Sequence, residues 1–290
     1  SAKLTSINDS THSPPDPKLF CAIIGSLMYA NMTRCDIAHA VSQLSRYLAK
    51  PTQAHMNEAK HVVAYLYHHR HLGPTYDGNM SAELVGYTDA DWAGCLDTRR
   101  STSARIFMFM GAALTWASKQ QRTVATSSAE AEYTAASDCA REAMWVRKLV
   151  ADVMELDSIP VTPILEDNAA AAKWCYNPLN HAKQKHIDIA YHFIREQVAE
   201  FGNLTIVSVP TVDQLADLGT KALASPRFEY LVRKVFNIAP DRSLRTTATV
   251  DMTADSQVHP TIPTPASRHT DSTEVPVRQV PVRRLPTTFK

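Results

Sequence analysis

Residues 83–121 read ELVGYTDADWAGCLDTRRSTSARIFMFMGAALTWASKQQ. Apolar and aromatic residues gather in three short runs, Leu84–Thr88, Ala104–Phe109 and Ala113–Ala117, with Gly111 at the last turn. Runs of that length, joined by short polar links, predict three strands in an antiparallel meander. The period then changes. Ala131, Tyr133, Ala135, Ala136, Ala140, Met144 and Leu149 predict a long helix from Ser128 to about Glu155. Pro163–Glu166 reads as a short buried strand, Asn168–Cys175 as a short helix and Ile187–Phe201 as an amphipathic helix. Leu204–Val209 is a strand ending before Pro210, and helices follow over Asp213–Leu223 and Pro226–Phe236. The order βββ-α-β-α-α-β-α-α, over residues 81–237, predicts an α/β fold. Strands separated by helices add in parallel to the meander, giving a mixed sheet with helices on its faces.

Residues 1–16 are polar and read as a linker. Residues 17–80 read as a small helical segment of three helices. Leu19, Ile23, Ile24, Leu27 and Met28 mark the first, Ile37, Val41, Leu44 and Leu48 the second, and Ala59, Val62, Val63, Leu66 and Tyr67 the third. The second is expected to stop before Pro51. Residues 238–290 are rich in Pro and Thr, and this tail is expected to be disordered.

The 290 residues carry 30 Lys plus Arg against 29 Asp plus Glu, a net charge of +1. That excludes a histone-like polyanion binder on whole-chain charge and leaves room for a local basic groove. No apolar run reaches the roughly 18 residues a membrane span needs, and the polar, Pro-bearing start is unlike a signal sequence. Ser1 in place of Met suggests a fragment or a processed product. Cys21, Cys35, Cys95, Cys139 and Cys175 show no paired spacing, so reduced, buried thiols of an intracellular protein are expected. The histidine clusters, His68, His69 and His71 among them, lack the further ligand pair a zinc site wants.

Four acidic positions stand out by where the elements place them. Asp89 ends the first strand, Glu132 lies one turn into the long helix, Asp167 ends the fourth strand, and Asp217 lies in the first turns of a late helix. Strand ends and helix starts converge at one edge of such a sheet, and carboxylates there bind hard divalent cations. Two such cations activate water and stabilise the leaving oxygen of a phosphodiester. Glu130 competes with Glu132, but Ser127 and Glu130 have the S-x-x-E spacing of a capping box, which gives Glu130 a structural task. Asp91 competes with Asp89 and fits a turn or supporting role.

GYTDADWAG, RRSTS, TWASKQQ, SSAEAEY, EDN, KHIDIAYHF and QLADLGTKAL occur in that order from Gly86 to Leu223. Together they resemble the ribonuclease H domain of Ty1/copia-type retrotransposon Pol polyproteins. Residues 23–66 resemble the segment that joins the reverse transcriptase to that domain. The resemblance implies a ribonuclease H-like fold with a mixed five-stranded sheet, helices on both faces and a small helical segment before it. It implies hydrolysis of the RNA strand of RNA–DNA hybrids by two Mg2+ ions, with Mn2+ as an alternative. Asp89, Glu132, Asp167 and Asp217 take the catalytic and metal-binding roles, and the family pattern selects Glu132 and Asp89 over their neighbours. The implied partners are the hybrid and the reverse-transcriptase portion of the same polyprotein, with no membrane. The implied setting is intracellular, in a cytoplasmic particle or the nucleus. Arg99, Arg100, Ser101, Ser127, Ser128, Lys119, Arg122, Lys183 and Lys185 are the candidates for nucleic-acid contact, because hydroxyls, a helix start and basic groups meet phosphate. Ala104 and Gly219 depart from the family pattern without touching the carboxylates. The competing reading is a catalytically inactive hybrid-binding or structural remnant of a decayed element.

Overall fold

The structure, a computed structural model, describes residues 4–5, 15–176, 193–239 and 242–244. The expected linker is largely, and the expected tail almost wholly, outside the described residues. So are Lys183, Lys185 and the first part of the helix expected over Ile187–Phe201. Its final turn, Glu196–Glu200, is described and is a π turn.

Five strands form one sheet: β1 Val85–Asp91, β2 Thr102–Phe109, β3 Ala112–Gln120, β4 Thr162–Glu166 and β5 Leu204–Ser208. Their order is β3-β2-β1-β4-β5. β1, β2 and β3 form the antiparallel meander, while β4 pairs in parallel with β1, and β5 with β4. The expected mixed sheet is present. β1 runs three residues further than the sequence suggested, because Asp89, Ala90 and Asp91 pair with Ala104, Ser103 and Thr102. Asp89 therefore sits inside the central strand rather than at its end.

Helices cover both faces. The long helix α4, Ser128–Met154, packs its row of Ala131, Ala135, Ala136, Ala140 and Ala143, all fully or almost fully buried, beneath the strands. Its small side chains let the helix approach the sheet closely, and Phe107, Tyr133, Val146 and Ile164 fill the remaining space. The short helix α5, Ala169–Tyr176, joins that layer. On the other face Ile106 and Ala113 meet Leu231, Val232, Val235 and Phe236 of the last helix, Ser225–Phe236.

The helix expected over Asp213–Leu223 is broken. A 3-10 turn at Thr211–Asp213 is followed by a single helical turn, Asp217–Thr220. The buried side chain of Gln214 explains the break. Its amide donates to Thr88 O at 2.9 Å, and its carbonyl accepts the Ala216 N–H, so this residue is bound across to β1 instead of continuing a helix. We number this turn α6 and the last helix α7.

Three helices precede the sheet: α1 Pro17–Ala30, α2 Ala38–Leu44 and α3 Gln53–His68. They share a core of Phe20, Ile24, Leu27, Val41, Leu44, Met56 and Ala59. A buried network closes the α1–α2 link, in which Arg34 pairs with Asp36 at 2.6 Å and Tyr65 donates to the same carboxylate at 2.6 Å. Residues 1–247 form one compact unit. Within it Trp116 of β3 donates to Asn31 O at 3.0 Å. Of the cysteines, Cys21 is exposed, contrary to expectation, while the other four are buried. Among the described residues no helix is long and apolar enough to cross a membrane.

Ala104 and Gly219 prove to be a matched pair. A Cβ built on Gly219 would lie 2.6 Å from the Ala104 Cβ. Gly219→Ala is therefore expected to destabilise the chain by about 1–3 kcal/mol, the usual cost of overpacking. Adding Ala104→Gly should recover most of that loss. Chemical denaturation of both variants checks it, and a double variant no more stable than Gly219→Ala would refute the pairing.

Candidate active site

The three elements nearest the centre of the sheet each bring one carboxylate to the same place. Asp89 comes from β1 and Glu132 from the second turn of α4. Asp167 comes from the residue after β4. Oxygens of all three lie within 4.8 Å of one another. Asp89 and Glu132 are buried, and Asp167 is half-buried. Asp217, first residue of α6, is buried beside them. Its Oδ1 lies 2.7 Å from Lys221 Nζ and its Oδ2 3.2 Å from Arg227 Nη2. Lys221 Nζ also lies 3.6 Å from Asp89 Oδ2, and the Thr220 hydroxyl donates to that same oxygen.

Burial and mutual repulsion both favour the protonated acids. Glu132 is pushed up to about 10, first by burial and then by Glu166, Asp89 and Asp167. Burial raises Asp89 to about 6, against the lowering pull of Lys221 and Thr220. Glu166 is held well above the usual carboxylate range, mainly by burial.

Glu166 is the carboxylate that sequence reasoning missed. It lies in EDN, one residue before Asp167, and strand alternation turns it inward. Its Oε1 accepts the Asn168 N–H at 3.0 Å, and Oε2 has no partner. Glu132 Oε2 is likewise buried and unpartnered. Lys221, Thr220 and Arg227 were missed as well, although Lys221 follows Asp217 at the i+4 spacing of an ion pair. His39 of α2 was a further omission. Its Nδ1 lies 3.3 Å from Gly219 O, and burial lowers its pKa to about 4.

The two rivalries resolve in space. Asp91 folds back over Gly94, where a Cβ would lie 1.7 Å from its Oδ2, so it occupies the turn that leaves β1. Ser127 caps α4 by accepting the Glu130 N–H at 3.2 Å. The reciprocal half of the expected capping box differs. Glu130 Oε2 accepts from the Thr126 N–H at 2.7 Å and from the Thr126 hydroxyl at 2.5 Å, one residue before the cap.

The candidate nucleic-acid residues divide. Arg99, Arg100, Lys119, Arg122 and Ser128 are exposed, and Ser127 is half-buried. The register Asp91–Thr102–Gln120 puts the Arg99–Arg100 loop and Arg122 at the end of the sheet where β1 finishes. Ser101 does not belong with them. It is fully buried, and its hydroxyl accepts the Ala93 N–H at 3.1 Å, so it braces the loop rather than facing a phosphate.

Hard oxygen donors in a tight group, with orphaned buried oxygens on Glu132 and on nearby Glu166, fit a divalent cation. A five-stranded sheet ordered 3-2-1-4-5, with only the second strand reversed against the rest and carboxylates gathered at the central strand, defines a ribonuclease H-like protein. The chain is homologous, over about three quarters of its length, to a segment of the Pol polyproteins of copia-type transposons. It is 40% identical over 222 residues to the retrovirus-related Pol polyprotein from transposon RE2 of Arabidopsis thaliana, covering 76% of this chain and 15% of that protein. It is 38% identical over 215 residues to the corresponding polyprotein from transposon TNT 1-94 of Nicotiana tabacum, covering 72% of this chain and 16% of that protein. The chain thus spans about a sixth of these relatives. No family model matches. Among solved structures, LC11-RNase H1 in complex with RNA/DNA hybrid is similar at a TM-score of 0.36 and 17% identity, covering 48% of this chain and 94% of that one. A likeness at that score adds nothing to the topology above.

Without a divalent cation, Glu132 and Asp89 are titratable burdens on the fold. Their folded pKa values lie above the ordinary values of 4.5 and 3.8, so their stabilising protons are fully present below those values. That stability is lost as pH rises through about 6 for Asp89 and about 10 for Glu132. In EDTA the chain should unfold more easily at about pH 8 than at about pH 5, and Glu132→Gln should be at least about 1 kcal/mol more stable than wild type at the higher pH. Equal denaturation midpoints at the higher pH would refute this.

Proposed function

We propose that this chain is a nuclease that hydrolyses the RNA strand of RNA–DNA hybrids during reverse transcription of a retrotransposon. The observation that carries the reading is the meeting of Asp89, Glu132 and Asp167 within 4.8 Å, with Asp217 beside them, in a Pol-family chain. A pair of Mg2+ or Mn2+ ions bound at such a cluster supplies activation of the attacking water and stabilisation of the departing 3′-oxygen. Asp89, Glu132, Asp167 and Asp217 would hold them.

The protein's own part is to hold those oxygens still and to seat the hybrid. The Thr220 hydroxyl fixes Asp89, and Arg227 fixes Asp217. The N-cap at Ser127 fixes the first turn of α4 and, through it, Glu132. Arg99, Arg100, Lys119 and Arg122 would meet phosphates of the hybrid, with Ser127 and Ser128 at the start of α4 offering hydroxyls and amides. Lys183 and Lys185 would extend that surface. Selection for the RNA strand would come from helix shape and the 2′-hydroxyl rather than base sequence. The reverse-transcriptase portion of the same polyprotein would be the neighbour of the helical segment.

Glu132→Gln and Asp167→Asn should each lower Mg2+-dependent hybrid cleavage by at least about 100-fold, since metal positioning is worth several kcal/mol. Glu130→Gln should cleave normally and lose at most about 1 kcal/mol of stability, because an amide oxygen still accepts from Thr126. Gel assays on a labelled hybrid read the difference, with circular dichroism to verify folding. Equal loss in the Glu130 and Glu132 variants would overturn the assignment. Retained hybrid binding with no cleavage by wild type would favour the inactive remnant.

Hybrid affinity should fall steeply with salt even though the whole chain is nearly neutral. Replacing Arg99 and Arg100 by Ala should flatten the slope of log affinity against log salt by at most about two, and weaken duplex DNA and duplex RNA alike. Fluorescence anisotropy at several salt concentrations measures it. A double variant with the wild-type slope removes this loop from the binding surface.

A further inference from the structure

Asp217 would be the fourth carboxylate of the metal centre, yet both of its oxygens already face cations. Lys221 Nζ lies 2.7 Å from Oδ1 and Arg227 Nη2 3.2 Å from Oδ2. The same lysine nitrogen lies 3.6 Å from Asp89 Oδ2. A single ammonium therefore stands between the two carboxylates. Among the described residues, no lysine or arginine ion pair reaches Glu132 or Asp167 within 4.0 Å.

The two cations on Asp217 are held differently. The Arg227 guanidinium is anchored elsewhere, donating to Thr211 O at 2.7 Å and to Val212 O. It is a fixed strut. Among the described residues Lys221 has no such anchor beyond the two carboxylates, and its side chain is more exposed, at 39% against 23%. Its stem is flexible and its charge compact. A cavity of about 280 Å³ adjoins it, walled in part by Thr220, Asp91 and, from α3, Glu58. A displaced ammonium has both the space and an acidic wall to move toward.

We propose that Lys221 is a built-in cation that fills the Asp89–Asp217 side of the centre. The chain then takes one divalent ion readily at Asp89, Glu132 and Asp167, and a second only by displacing this ammonium. The proposal rests on the metal-centre reading above and gives it an order of filling. An ammonium and a divalent ion compete for the same carboxylate oxygens, because two cations in contact with one lone pair repel each other strongly at this burial. Cleavage that needs two ions would then need more Mg2+ than binding of the first.

The test is a Mn2+ titration of the full chain, with free Mn2+ followed by electron paramagnetic resonance. Wild type should show one tighter and one weaker site. Lys221→Met, which keeps the stem and removes the charge, should tighten the weaker site by at least roughly fivefold, the scale of one partly exposed ion pair, and the tighter one by less, since that site shares only Asp89 with the ammonium. Lys221→Arg should keep the second site weak. An unchanged second constant in Lys221→Met, or the same tightening in Lys221→Arg, overturns the role of Lys221 alone. Absence of any Mn2+ binding by wild type overturns the metal centre itself. Amine labelling of wild type gives a check that needs no variant. Lys221 should be protected from acetic anhydride in EDTA and become reactive in saturating Mn2+, and unchanged reactivity would overturn the proposal.

Discussion

Asp89, Glu132, Glu166 and Asp217 are buried against one another around β1, with Asp167 at their edge. Each buried ionised carboxylate carries a desolvation cost of several kcal/mol, and neighbouring like charges add to it. The fold answers this in two ways. On the side of α6 it supplies cations and a hydroxyl, from Lys221, Arg227 and Thr220. On the side of α4 and β4 it supplies backbone N–H groups, that of Asn168 among them, but among the described residues no ion-pairing lysine or arginine, and one buried oxygen each of Glu132 and Glu166 is left without a partner. An arrangement relieved on one side and unrelieved on the other is costly as a piece of scaffold. It becomes reasonable as a seat for a hard cation, because such an ion is the group that would complete the unrelieved side.

The sheet makes that crowding possible. β1 is central, so residues along it are reached from β2, from β4 and from helices on either face. The reversed direction of β2 brings Ala104 opposite Asp89, and the small side chain there leaves room for Gly219 of α6. The close approach of α6 in turn sets Thr220 and Lys221 on Asp89. On the opposite face the alanine row of α4 lets the helix settle near the strands, so that Glu132 reaches the same oxygens. Small residues at Ala104, Gly219 and along α4 are thus the means by which distant parts of the chain share one site.

Much of this was legible in the sequence. The period change after residue 83, the Gly111 turn and the long alanine-bearing helix announce the meander and α4 through local signals. Asp89, Glu132 and Asp167 follow once the elements are placed. The segment around Asp217 was misread as a helix because the deciding bond, from Gln214 to Thr88 O, crosses from one element to another and leaves no local pattern. Glu166 escaped because the neighbouring Asp167 already filled the expected role and alternation alone does not reveal an orphaned oxygen. Ser101 was misjudged for the opposite reason. Its hydroxyl-rich, basic neighbourhood looks like a phosphate contact, whereas its own hydroxyl is consumed inside the loop.

The helical segment bears on the site more directly than its place in the chain suggests. The Gly219 carbonyl receives the Ser118 hydroxyl of β3 at 2.6 Å and faces His39 of α2 at 3.3 Å. α6 is therefore gripped from both the sheet and the helical segment. Arg34, whose charge is balanced by Asp36, lies 5.8 Å from the Phe236 ring centroid of α7, and Cys35 and Leu72 join the core beneath that helix. Burial, with the Arg46 charge adding to it, holds this histidine well below the ordinary imidazole value. Two of the groups that line the cavity beside Lys221, His39 and Glu58, come from α2 and α3. The cavity beside Lys221 is thus walled jointly by the end of α6 and by a helical segment outside the sheet, within the one compact unit of residues 1–247.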